Sequence, residues 1–232
     1  MTTAADGGRI ATLTALAAGL LLVALALPRT VAAILQAPGE DVLAALGRGE
    51  RPPQPRLAVA IAGHRGALDW QDNADIHVDL GALTLARAGD ASLPAPVRYA
   101  FLDAAIRQLR TGLALGPARP YAWTQYAEAE LMRNGAQARI DAPLRLSLMT
   151  GRYEPRLILQ RVELGFFADR ILKDDMRAAI RDQVRLASEA QPRQLAEFAR
   201  RRFALAWVRT ALADDDTALR RFEAAYFSLP MR

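Results

Sequence analysis

Residues 113–127 read LALGPARPYAWTQYA, and this stretch decides the fold. Leu113 and Leu115 end an apolar-periodic run, Gly116 and Pro117 break it, and Pro120 opens a new one containing Trp123, Tyr126 and Ala127. Glycine is common just past a helix end and proline is tolerated in a first helical turn, so the stretch predicts one helix stopping and the next starting. On that reading Gly116 ends its helix in a left-handed turn.

Sliding the chain by 35 residues superposes this stretch on a later one. Leu113 falls on Leu148, Gly116 on Gly151, Pro120 on Pro155, Gln125 on Gln160 and Glu128 on Glu163. Pro120, Pro155, Pro192 and Pro230 recur at intervals of 35, 37 and 38 residues. A period of about 34 residues built from two helices marks tetratricopeptide-type repeats. One helix pair cannot bury its apolar face alone, and stacked pairs make a continuous core. The second copy departs from the first, with Ile158 in place of Trp123 and Arg161 in place of Tyr126.

Working outward, apolar residues recur at three and four along the whole body, and no stretch alternates with period two. The spacing predicts helices over 57–69, 73–88, 95–115, 120–134, 137–149, 155–170, 173–190, 192–212 and 215–228. The expected fold is therefore all-α: an N-terminal transmembrane helix followed by a tetratricopeptide-like helical-repeat array. The expected organisation is an N-terminal segment 1–38, a connector 39–56 holding Arg51-Pro52-Pro53-Gln54-Pro55, and a repeat domain 57–232.

Residues 10–27, IATLTALAAGLLLVALAL, form a run of 18 without charge. At about 1.5 Å per residue such a helix spans about 27 Å, close to a bilayer's hydrocarbon thickness. Pro28 and Arg29 close the run, and residues 30–38 stay uncharged, so the helix can continue a little way into the interface. The length favours an uncleaved signal-anchor; a cleaved signal peptide is the alternative, with Arg9 as a weak basic region and Ala24-Leu25-Ala26 as a small-residue site. The flanking charges favour an N-terminus inside, which places the body in the periplasm of a bacterium at its inner membrane. Ala11, Ala15 and Gly19 lie four apart on one face, a spacing that lets membrane helices pack closely.

The 232 residues carry a net charge of +5, with Lys173 the single lysine among 30 basic residues. Arginine-for-lysine usage with abundant alanine reads as the codon bias of a GC-rich genome, so the basic balance does not imply a nucleic-acid partner. With no cysteine, disulfides, thiolate nucleophiles and cysteine-based zinc sites are excluded. Of the two histidines, His77 in Asp75-Ile76-His77-Val78-Asp79 has carboxylates two residues away, which point to different helix faces. Both His64 and His77 are expected in surface or capping roles. Asp214-Asp215-Asp216 and Lys173-Asp174-Asp175 stand before helices, where carboxylates cap free N–H groups. No phosphate-binding, nucleophile-elbow or zinc-protease motif is present. The chain is expected not to be an enzyme and to take no cofactor or metal, with an unrecognised carboxylate-pair hydrolase or transferase as the rival.

Arg177, Arg181 and Arg185 recur every four residues as a basic stripe, and Arg200-Arg201-Arg202 follow in the next helix. They form a candidate surface for an acidic peptide or an anionic polysaccharide, against the ordinary reading of a solvated face. Trp123 and Tyr126 are expected in the core.

Residues 97–212, about half the chain, resemble VpsP-type polysaccharide biosynthesis proteins of bacteria. The resemblance rests on Ala114-Leu115-Gly116-Pro117, Pro120-Tyr121-Ala122-Trp123, the run 142–148, and 151–155 leading into 156–167. It implies one membrane helix, a tetratricopeptide-like domain and an accessory role in making or exporting a surface polysaccharide, and it supplies no catalytic residues. The expected function is a membrane-anchored protein–protein interaction scaffold; a structural subunit held in a larger complex through its transmembrane helix is the alternative.

Overall fold

The computed structural model describes residues 3–230, with side chains from residue 13 onward. Among them are eleven α-helices, one short 3₁₀ turn and no strand: α1 Thr3–Gly47, α2 Gln54–Leu68, α3 Ala74–Ala88, α4 Ala95–Leu115, α5 Pro120–Asn134, α6 Asp141–Gly151, α7 Pro155–Ala168, α8 Asp174–Ala190, α9 Pro192–Arg201, α10 Leu205–Ala211 and α11 Asp216–Phe227. Pro120, Pro155 and Pro192 each open a helix, where a missing N–H leaves no bond unmade. Asn73 and Asp215 cap α3 and α11, accepting from the Ile76 and Ala218 amides at 2.9 Å.

The helices pack in series, each mainly on its neighbours in sequence, with lighter contacts one helix further on. The core is a relay of clusters. Leu85, Leu102, Leu109 and Ala122 join α3, α4 and α5; Ala127, Leu144, Leu164 and Ile180 join α5 through α8; Val162, Val184, Leu195 and Phe222 carry it to α11. Glycines let paired helices close up: an added Cβ would meet Leu109 at 2.6 Å from Gly81 and Ile180 at 2.4 Å from Gly165.

Helix α1 departs from expectation. It does not stop by Pro38 but runs on to Gly47, so much of the expected connector 39–56 is helical. An interior proline forfeits a backbone hydrogen bond. Burial offsets that loss here, with Ala32 against Ala67 and Ile76, and Val42 against Leu57, Ile61 and Leu80. The stretch from Leu13 is apolar and long enough to cross a membrane, and its most apolar window is 6% buried.

Two turns also differ. Gly116 has φ −149°, not a left-handed value, and Gly151 lies inside α6. These glycines serve close approach: a Cβ would meet Ala74 at 3.1 Å from Gly116 and the Pro120 ring at 2.8 Å from Gly151. The expected helix 192–212 is broken at Phe203, a non-glycine residue with φ +54°. The Ala204 amide donates to the Ala199 carbonyl at 2.8 Å and Phe203 to Arg200 at 3.4 Å, closing a Schellman turn without glycine.

Candidate functional site

Of the basic stripe on α8, two members are engaged within the chain. Arg177 donates to the Asp169 carbonyl at 3.1 Å and to Asp174 at 2.9 Å. Arg185 bridges Asp182 at 2.9 Å and Asp214 at 2.6 Å. Arg181 is exposed. Arg145 to Asp175, Arg152 to Asp182 and Arg185 to Asp214 make a ladder of ion pairs from α6 across α8 to the turn before α11. The Arg185 hydrogen bond holds the Asp214 carboxyl below its usual range, and Arg145 does the same to Asp175. A cleft of about 440 Å³ opens beside this ladder, where Arg152, Arg185 and Arg221 face Asp182, Glu189 and Asp215. Charges so evenly matched make no concentrated anion site.

A second surface follows α5, α7 and the α9–α10 turn. Gln160 donates to Glu128 at 3.0 Å, and Arg202 to Glu163 at 2.6 Å. Glu128 and Glu163, equivalent under the 35-residue shift, are thus each met from the next unit along. Burial pushes the Glu128 carboxyl up; the Gln160 bond opposes this and the Glu163 charge adds to it. The Arg202 guanidinium lies over the Phe167 ring at 5.1 Å, and Phe167 is 53% exposed. The adjacent Phe203 is 95% exposed.

A left-handed backbone costs a residue with a Cβ about 1–2 kcal/mol. Phe203→Gly is therefore expected to raise stability by about 1 kcal/mol in denaturant unfolding. An unchanged or lowered midpoint would show that the Phe203 ring contributes packing in the folded chain. No sequence signal marked Phe203, since neither glycine nor proline stands at the break.

Behind this surface, Arg161 is fully buried. Its guanidinium donates to the Ser147 carbonyl at 2.7 Å, the Gly151 carbonyl at 2.9 Å and the Arg152 carbonyl at 3.2 Å. It also reaches Ser147 Oγ at 2.8 Å. These carbonyls cluster at the C-terminal end of α6, where the Glu154 amide at 3.3 Å and Gln183 at 3.4 Å also reach the Gly151 and Arg152 carbonyls. Burial pushes the guanidinium down to about 10, which leaves it charged at neutral pH. The sequence showed Arg161 only as a mismatch to Tyr126. Trp123 and Tyr126 are half-buried against the α3–α5 cluster, with Trp123 Nε1 donating to the Pro117 carbonyl at 2.7 Å.

The histidines do not converge. His77 lies between Gln108 at 2.6 Å and Asp72 at 2.7 Å. His64, expected at the surface or in a cap, is buried: Gly39 of α1 leaves room for its ring, and Nδ1 meets the Ala60 carbonyl at 3.0 Å. Burial lowers its pKa. Among the described residues no three His, Asp or Glu side chains gather as metal ligands would.

Asp79 stands 4.0 Å from His64 Nε2, and its side chain is 37% exposed. Burial pushes its pKa up to about 6, Asp75 adds to the rise and Arg119 opposes it. A raised folded-state pKa gives stability that is present at low pH and lost as pH rises to about 6. Asp79→Asn should match the parent near pH 4 and exceed it above pH 6 by about 1 kcal/mol, after allowing for solvent screening. Equal midpoints at pH 8 would show a carboxylate that is fully hydrated.

In the proposed membrane segment, Ala15 and Gly19 are exposed, and a Cβ on Gly19 would touch nothing within 4 Å. The Ala11 side chain lies outside the described residues.

Comparison with known proteins gives no match to any family model, to any curated protein or to any solved structure.

Proposed function

We propose that this chain is a membrane-anchored interaction scaffold whose tetratricopeptide-like array docks a partner protein through the surface on α7 and the α9–α10 turn. The observation that carries this reading is Phe203, an almost fully exposed phenylalanine held at φ +54° beside the exposed Phe167 and Arg202. Backbone strain and an exposed aromatic ring both cost free energy, and such features cluster where a surface binds. Arg202 adds a cation for an acidic side chain or backbone carbonyl of the partner. The long apolar segment of α1 supports attachment to a membrane, with the body on the periplasmic side by the charge balance of the flanks. The resemblance of residues 97–212 to VpsP-type proteins supports a partner within exopolysaccharide biosynthesis or export machinery.

The test is affinity purification of the full-length tagged chain in mild detergent, with mass spectrometry of the co-purifying proteins, for the parent, Phe203→Gly and an Ala15→Leu, Gly19→Leu double variant. Polymerisation or export components that disappear with Phe203→Gly and persist with the anchor variant support the scaffold. Loss with the anchor variant alone assigns the chain instead as a subunit held through its transmembrane helix.

A further inference from the structure

The turns between helices fall on two edges of the array, and contacts assign each to its edge. Helices α1 and α2 run antiparallel: Val42 packs by Leu57 and Ala60 early in α2, while Ala32 packs by Ala67 near its end. Going towards the N-terminus, α1 therefore leaves the body just past Ala67, beside the α2–α3 turn 69–73.

Three further turns share that edge. Ala74 at the start of α3 lies within 3.1 Å of a Cβ on Gly116, which places the α4–α5 turn there. The Pro120 ring at the start of α5 would meet a Cβ on Gly151, which places the α6–α7 turn there. Gln191 donates to the Pro155 carbonyl at 2.6 Å, bringing in the α8–α9 turn. The opposite edge holds turns 48–53, 89–94, 135–140 and 169–173, tied by Arg87 to Gln54, Arg133 to Asp103 and the Lys173 amide to Asp141.

Large apolar side chains are exposed along the anchor edge. Beside the anchor, Trp70 is 47% exposed, Leu115 54%, Met149 74% and Tyr153 70%. The opposite edge also exposes apolar side chains within three residues of its turns, Val97 at 41%, Met132 at 37% and Phe167 at 53%, so continuity with α1 is what singles out the anchor edge. Phe203 is exposed in the α9–α10 turn on that opposite side, and the fourth turn on the anchor edge is polar, with Glu189, Gln191 and Arg193. Three acids of the anchor edge are already held, Asp75 by Arg119, Asp72 by His77, and Glu154 by the Tyr121 hydroxyl at 2.6 Å, while Asp69 and Glu189 are exposed. Arg29 and Arg156 are exposed on the same side.

We propose that this edge lies on the surface of the bilayer that α1 enters, with Trp70, Leu115, Met149 and Tyr153 seated among the lipid headgroups. The inference rests on α1 spanning that bilayer. Tryptophan and tyrosine pair an apolar body with a polar tip, which suits the interfacial layer. Arg29 and Arg156 are placed to meet lipid phosphates. Neighbouring helices pack about 8–10 Å apart, so successive turns form a row running outward from the anchor along the membrane. The array then stands edge-on, and the Phe167–Phe203 surface, at the end of α7 and the α9–α10 turn, lies towards the edge away from the bilayer.

The chain has no cysteine, so single cysteines report without background. Leu115→Cys, Met149→Cys, Ala91→Cys and Leu20→Cys would each be labelled with an environment-sensitive fluorophore. The full-length chain would be placed in nanodiscs of phosphatidylcholine and phosphatidylglycerol, with nitroxide-headgroup lipid as quencher and helical content checked by circular dichroism. The expected result is blue-shifted emission at 115 and 149 and quenching several-fold above that at 91, on the opposite edge. Quenching at 115 and 149 no greater than at 91, with position 20 shifted to a lipid-like emission, overturns the proposal and leaves the anchor intact. A water-like emission at position 20 as well removes the anchor and this inference together.

Discussion

Replacing Arg161 with methionine is expected to destabilise the chain by about 3–5 kcal/mol, because it removes several buried hydrogen bonds from a charged donor at once. The guanidinium fills the space behind the end of α6 and bonds the Ser147, Gly151 and Arg152 carbonyls at once. A hydrophobic replacement for a buried ion pair can be neutral, because both charged partners are removed together. Here the partners are backbone, which no substitution removes. The Glu154 amide at 3.3 Å and Gln183 at 3.4 Å still reach the Gly151 and Arg152 carbonyls. Each lost hydrogen bond to a charged group costs about 1.5–3 kcal/mol.

In a chain of this size the thermal midpoint should fall on the order of 10 °C. Arg161→Lys should recover little of the loss, because a single ammonium cannot span the positions that the guanidinium fork reaches. Thermal unfolding followed by circular dichroism decides the matter. An Arg161→Met midpoint equal to the parent's would mean that water satisfies the end of α6, and that Arg161 does not hold this unit to the next.

The second large effect concerns the join between the membrane helix and the body. Glycine to alanine inside a helix normally stabilises by about 1 kcal/mol. At Gly63 the sign should reverse, because a Cβ there would stand 2.2 Å from the Leu35 carbonyl oxygen of α1. Backbone cannot rotate aside as a side chain does, so Gly63→Ala is expected to cost about 1–3 kcal/mol.

Three residues further along the same helix, a Cβ at Gly66 meets only Leu35 Cδ1 at 3.6 Å, an ordinary contact. Gly66→Ala should therefore stabilise by about 0.5–1 kcal/mol. Denaturant unfolding of the detergent-solubilised full-length chain separates the two. If both variants gained stability, α1 would not be docked on α2, and the fixed geometry between anchor and array would go with it.

Much of the fold was legible because the signals were local. Proline at a helix start and apolar spacing at three and four act within a turn or two, and α4, α5, α7, α8 and the start of α9 fall where those signals put them. What was missed lies where tertiary contact overrode a local rule. Pro38 read as the end of the anchor segment, yet burial of Ala32 and Val42 carries α1 through it. Gly116 and Gly151 read as left-handed caps, yet they are small because another turn lies against them. The α9–α10 break has no glycine to announce it. On the candidate surfaces, Arg177, Arg181 and Arg185 all lie on α8, while Asp174, Asp182 and Asp214 decide how much of the stripe remains available.

By itself, then, the sequence determined that the body is helical, that it carries one apolar stretch of membrane-spanning length, and which helices open on proline. Each of these follows from backbone chemistry or hydropathy within a short window. Only the tertiary structure decided that α1 docks on α2 through Gly39 and Gly63, that Arg161 is an internal clamp, and that Phe203 faces solvent. Those outcomes depend on which atoms meet across helices some 30 residues apart in the chain, and hydrophobic spacing along one helix carries no information about its neighbour.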